Sequence, residues 1–298
     1  MRAKTDWARF LPAAIAGAIL AFVLDVTWHG TIVRDMYANY PSRAPEEVQA
    51  LLPFLFATYV VQLPTFCYLY LRIYRERTLA NALWWGAWGG YFVVIPNEQF
   101  FVGIPGMGFG LLGMQVVEGI VLTMLLMAFF HLAYRPRPLG EIPGAAQVKP
   151  DWGRFFAVAV SGAMLIFVID IAFHGTVAPK LFPGIYPSPD YPHRPVEESK
   201  ALLPFLCQTY IVQLTMFCYM YLRMYPERGF ASAVWWGVWG ALFVFIPNMQ
   251  IFVTMRGYTW TMLGIQVVEG VALPVMMIAW FEALYRPKAR ADALAMAG

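Results

Sequence analysis

Residues 50–74 read ALLPFLFATYVVQLPTFCYLYLRIY and residues 201–225 read ALLPFLCQTYIVQLTMFCYMYLRMY, identical at 18 of 25 positions. Each stretch is apolar over more than the roughly 20 residues that a helix needs to cross hydrocarbon. The repetition continues outward. Trp84-Trp85-Gly86-x-Trp88-Gly89 returns as Trp235-Trp236-Gly237-x-Trp239-Gly240, and Gln115-Val116-Val117-Glu118-Gly119 returns as Gln266-Val267-Val268-Glu269-Gly270. Matching positions lie 145 residues apart through the first apolar segment and 151 apart from the second onward, so the second copy carries six more residues in its first loop. The chain reads as a tandem duplication.

Apolar segments begin near Phe10, Leu51, Leu79, Phe109, Phe155, Leu202, Phe230 and Thr261. They predict an all-α polytopic membrane protein with eight transmembrane helices, arranged as two parallel four-helix repeats. The repeats span residues 1–138 and 151–298, and a Pro/Gly-rich cytoplasmic linker at 139–150 joins them. Composition agrees: 60% of residues are hydrophobic and 13% charged, against a charged share of about 25% in soluble domains. The basic start followed by Phe10–Trp28 resembles a signal peptide. The same run recurs mid-chain at Phe155–Phe173, however, so it reads as a retained helix.

Of the 21 lysines and arginines, all but Arg34, Arg43, Lys180, Arg194, Lys200 and Arg256 fall on one side of the predicted helices. By the excess of basic residues on the cytoplasmic side, both termini are expected in the cytoplasm. An even number of spans per copy then makes the repeats parallel rather than inverted. The small net charge of +3 is scattered, which excludes a nucleic-acid surface. Cys67, Cys207 and Cys218 all lie in apolar segments, and an odd count there argues against a disulfide framework.

The polar residues inside this apolar frame carry the functional expectation. Asp25 and His29 close the first segment at i, i+4 and recur as Asp170 and His174; Gln62 recurs as Gln213. Asn97 and Gln99 follow Pro96 and recur as Asn248 and Gln250, while Gln115 and Glu118 recur as Gln266 and Glu269. At about 1.5 Å per residue, Glu118 lies about 14 Å below the outer surface, near the middle of a core about 30 Å thick. By the same count Gln62 is level with it, Asp25 about 7 Å down, and His29 at the boundary. A carboxylate at that depth faces the bundle interior. These fourteen residues predict an outward-facing polar pocket in each repeat that binds or transports a small solute or ion, with Glu118 and Glu269 protonatable.

Two other readings stay open. One is a non-catalytic accessory subunit of a larger electron-transfer, photosynthetic or respiratory membrane complex, docking other subunits through the Pro-rich outer loop at 179–204. The other is a haem- or metal-binding protein that uses His29 and His174; the estimated 7 Å depth difference between Asp25 and Glu118 speaks against a shared metal. The Trp triplets read as aromatic belts, with an aromatic substrate slot as the alternative. No nucleophile triad, phosphate loop or zinc signature appears, so an enzyme is not expected.

The stretch from Leu83-Trp-Trp-Gly-Ala-Trp-Gly to Pro96-Asn97, with Phe100-Phe-Val-Gly-Ile-Pro, Gln115-Val-Val-Glu-Gly and the Trp28-His29-Gly30 ending of the first segment, resembles a family of small bacterial four-helix membrane proteins of unknown function. The likeness covers one repeat at a time. It implies the four-helix fold and a bacterial membrane, and it assigns no site; the localisation expected is multi-pass in the bacterial inner membrane.

Overall fold

The computed structural model describes residues 5–136, 150–185, 190–225 and 228–285. Residues 139–149 of the linker, the basic tail after Tyr285, and residues 186–189 of the outer loop lie outside that range. Among the described residues all regular structure is helical. In chain order the helices are α1 (Trp7–Thr27), α2 (Pro45–Ile73), α3 (Leu79–Gly103), α4 (Phe109–Tyr134), α5 (Trp152–Ala172), the short α6 (Ala178–Leu181) and α7 (Val196–Ala201), then α8 (Leu203–Met224), α9 (Phe230–Thr254) and α10 (Trp260–Leu284).

The ends follow ordinary capping chemistry. Asp6 and Asp151 accept from Arg9 N and Arg154 N, and Thr78 accepts from Asn81 N. These caps occupy backbone donors that the first helical turn leaves unpaired. Among the described residues, seven helices are long and apolar enough to cross a membrane. The eighth long helix, α3, is of equal length to its counterpart α9 but less apolar, because Asn81, Tyr91 and Glu98 stand where α9 has Ser232, Leu242 and Met249.

Close approach of α3 to α4 rests on small residues, as helix packing in lipid requires. A Cβ on Gly86 would lie 2.6 Å from Met124 Cα. The freed space admits Thr123, whose hydroxyl donates to Gly86 O at 2.7 Å and Gly119 O at 2.6 Å. The Trp triplets divide. Trp84 and Trp235 are exposed to the surroundings, as a belt requires, but Trp85 and Trp236 are fully buried. Their indole N–H groups donate to Phe66 O at 3.0 Å and Phe217 O at 3.2 Å, and each ring stacks on that phenylalanine. These two rings are core, not belt. All three cysteines are free.

The halves interlock reciprocally. At the ends that carry the loops before α2 and α8, Phe54 packs on Phe252 and Trp260, while Phe205 packs on Phe101 and Phe109. Arg43 reaches across to the end of α9, where its Nε donates to Phe252 O at 3.2 Å and its Nη2 to Tyr258 O. Arg194 does the same at the end of α3, donating from Nη2 to Phe101 O, Ile104 O and Met107 O at 3.1, 2.9 and 3.1 Å. At the opposite ends Arg72 donates to Met224 O at 3.5 Å and Arg223 to Ile73 O at 3.3 Å. The described part of the outer loop near Arg194 is thus engaged within the chain.

The turns that receive these arginines need glycine. Gly106 and Gly257 have φ of 76° and 74°, and a Cβ on either would run into the backbone carbonyl of Asn39 or Asp190. Gly106→Ala is expected to cost about 1–3 kcal/mol, read as a lowered thermal midpoint in detergent; Gly103→Ala, whose Cβ meets nothing within 4 Å, is the matched control.

Candidate polar sites in the two halves

The last turn of α1 is not α-helical. Trp28–Ile32 forms a π-helical turn, closed by Val33 N donating to Trp28 O at 3.2 Å, and Phe173–Val177 repeats it at the end of α5. Such wide turns concentrate at functional sites. Thr31 and Thr176 hold the turns by donating to the carbonyls four residues back, Thr27 O at 2.5 Å and Ala172 O at 2.6 Å. The turn carries His29 in one half and His174 in the other.

Each histidine faces two carboxylates. His29 Nε2 lies 3.5 Å from Asp25 Oδ1 and 3.2 Å from Glu118 Oε2 of α4. His174 Nε2 lies 3.5 Å from Asp170 Oδ1 and 3.1 Å from Glu269 Oε1 of α10. One ligand-capable atom from each member of a triad lies within 4.8 Å of the other two. The depth difference expected between Asp25 and Glu118 therefore does not keep them apart. That count placed Cα atoms along the membrane normal, whereas the side chains extend toward the imidazole between them.

Among the described residues, further polar side chains surround the triads. In the first half, the Tyr37 hydroxyl sits 2.8 Å from His29 Nδ1 and accepts from Gln115 Nε2 at 3.1 Å. Burial pushes Tyr37 well above the ordinary phenol range, so it remains a neutral hydroxyl. Tyr59 of α2 is buried nearby, close enough to feel the charge of Asp25. In the second, Tyr258 donates to Gln266 Oε1; the matching position of the first half is Met107.

The remaining predicted residues join across the boundary between halves. Gln99 Nε2 donates to Gln213 Oε1 at 2.9 Å, and Gln250 Nε2 donates to Gln62 Oε1 at 3.2 Å and Thr58 Oγ1 at 3.3 Å. Each half thus borrows its second glutamine from the other. A cavity of about 740 Å³ unites the second set: Asp170, His174, Gln213, Asn248, Gln266 and Glu269 line it together with Gln99. Tyr191, His193, Arg194 and Lys200 line it too. Burial holds the His193 imidazole below its ordinary range, so at neutral pH it adds no charge there.

Several polar atoms around these sites make no hydrogen bond: Asn97 Oδ1 and Asn248 Oδ1 at matching positions, Gln115 Oε1, Gln213 Nε2 and Glu118 Oε1. His29 and His174 each turn Nε2 toward their own half's carboxylates, an arrangement suited to a small ion rather than to one haem iron shared between them. The sequence reading missed Tyr37, Tyr59, Arg43 and Arg194. Duplication signals the last three, since Tyr59 and Tyr210 match, and Arg43, Glu46 and Glu47 recur as Arg194, Glu197 and Glu198. Tyr37 carries no such signal, since Phe182 stands 145 residues further on and Ser188 151 residues further on.

Fold and sites together define a protein that is all-helical over its described residues, with the architecture of a multi-pass membrane protein and a partly buried Asp–His–Glu triad in each half. No family model, curated protein or solved structure matches the chain.

Proposed function

We propose that this is a bacterial inner-membrane protein with eight spanning helices, two parallel repeats and cytoplasmic termini. It takes a small solute or ion, a cation above all, from the outer side into a polar pocket in each half. Glu118 and Glu269 are the protonatable groups of those pockets. The observation that carries this reading is the unmet hydrogen-bonding capacity in the cavity, where Asn248 Oδ1 and Gln213 Nε2 both lack partners. A buried polar group left unsatisfied costs about 1–3 kcal/mol, and one such atom recurs at the matching Asn97. Repeated cost of this kind suits a site completed by a polar guest.

A role as a docking subunit has less support, because Arg194 and Ser199 of the outer loop bond to the first half, the latter donating to Val102 O at 3.3 Å.

The test is access and flux in proteoliposomes. In a cysteine-free background, Gln266→Cys should react with a membrane-impermeant maleimide added on the outer side and not on the inner side. Wild-type vesicles should pass protons or cations when a diffusion potential is imposed, and Asn97→Leu with Asn248→Leu should stop that flux. Labelling from the inner side alone, or vesicles impermeable to every cation tried, would overturn the reading.

A further inference from the structure

We propose that each half binds one divalent first-row transition-metal ion, between Asp25, His29 and Glu118 in the first and between Asp170, His174 and Glu269 in the second. The inference rests on the reading of these pockets as cation sites and names the class of cation.

Distance supports it first. Two ligands about 2.1 Å from one ion and about 109° apart stand about 3.4 Å from each other. The imidazole–carboxylate separations are 3.5 and 3.2 Å in one half and 3.5 and 3.1 Å in the other. Charge points the same way. Two carboxylates with a neutral imidazole carry two negative charges, and a divalent ion cancels them. Among the described residues, the histidine is the sole ion-pair partner of either carboxylate in both halves.

A second, independent observation is Glu118 itself. Its side chain is only 9% exposed, with Oε2 on His29 and Oε1 buried without a hydrogen-bond partner. That oxygen is a ligand position left over in a place where water is scarce. The donor set selects the ion: imidazole with carboxylates and no thiolate suits Mn²⁺, Fe²⁺, Co²⁺ or Zn²⁺ better than Cu⁺. In the first half, Tyr37 at 2.8 Å from His29 Nδ1, itself held by Gln115, supplies the outer hydrogen bond that orients a metal-binding imidazole. The π-helical turns recur in both halves beneath both histidines.

The experiment uses the full chain, tag removed and metal-stripped, in detergent micelles, with Co²⁺ as probe. Equilibrium dialysis should give two Co²⁺ per chain, with visible d–d absorption characteristic of nitrogen and oxygen ligands. His29→Ala and His174→Ala should each bind one, and the double variant none. His131→Ala, at the far end of α4, should still bind two. Size exclusion and thermal midpoints establish that each variant is folded. Folded wild type that binds no Co²⁺, or a double variant that still binds two, overturns the proposal. The two readings fail separately: cation flux without Co²⁺ binding removes the metal and keeps the pocket, whereas Co²⁺ binding in vesicles that pass nothing keeps the metal and removes transport.

Discussion

Glu118→Gln combined with Glu269→Gln is expected to abolish cation uptake while leaving the helices packed. Glutamine keeps the shape of glutamate and removes the charge, so His29 and His174 lose one of their two anionic neighbours without a cavity opening in the packing. A contact to a charged group is worth about 1.5–3 kcal/mol, and every 1.4 kcal/mol is tenfold in affinity. Each single variant should therefore weaken binding at its own site by about 10- to 100-fold. Stability should change little, because a buried charge is no longer desolvated when the protein folds. Flux in proteoliposomes and thermal midpoints in detergent give the two halves of this result. Wild-type flux in the double variant would reduce the glutamates to polar pins that set helix register, of the kind that average about 0.6 kcal/mol in lipid.

The second large effect concerns the arginines that clasp one half to the other. The last turn of a helix leaves carbonyls without partners and carries the negative end of the helix dipole. Arg194 donates to Phe101 O in the last turn of α3 and to Ile104 O and Met107 O in the turn that follows, and its guanidinium lies 5.0 Å from the Phe101 ring centroid. Arg43 repeats this over Phe252 at 5.1 Å. Alanine at both positions is expected to cost about 2–4 kcal/mol per arginine, taking hydrogen bonds from a charged donor at about 1.5–3 kcal/mol and discounting for partial exposure. The thermal midpoint should fall steeply. Lysine should rescue little, because it lacks the planar fork that reaches several carbonyls at once. A double alanine variant as stable as wild type would show that the aromatic contacts of Phe54 and Phe205 suffice to hold the halves together.

Much of this organisation was open to reading in the chain. Apolar runs set the helices within a few residues of where they form, since Leu79, Phe109 and Phe230 begin α3, α4 and α9 as the pattern required. Duplication then picked out Asp25, His29, Glu118 and their counterparts, because polar residues kept twice in an apolar frame stand out without any relative for comparison. Arg43 and Arg194 recur in the same way, but a lone arginine in a loop looks like a solvated charge. Trp85 and Trp236 deceived in the other direction. Their place near a helix end suggested a belt, but glycines at their neighbours' positions let both rings sink into the core.

What the sequence determined by itself is the list of parts: apolar helices, a duplicated frame, and a fixed set of ionisable groups within it. Periodicity and length carry that information locally, because a helix buries its backbone polar groups within its own turns. Tertiary structure alone decided the partners. The π-helical turns aim both histidines at carboxylates on a different helix, and Gln99 and Gln250 cross to the opposite half, because side chains meet where helices cross, not where a count along each axis places them.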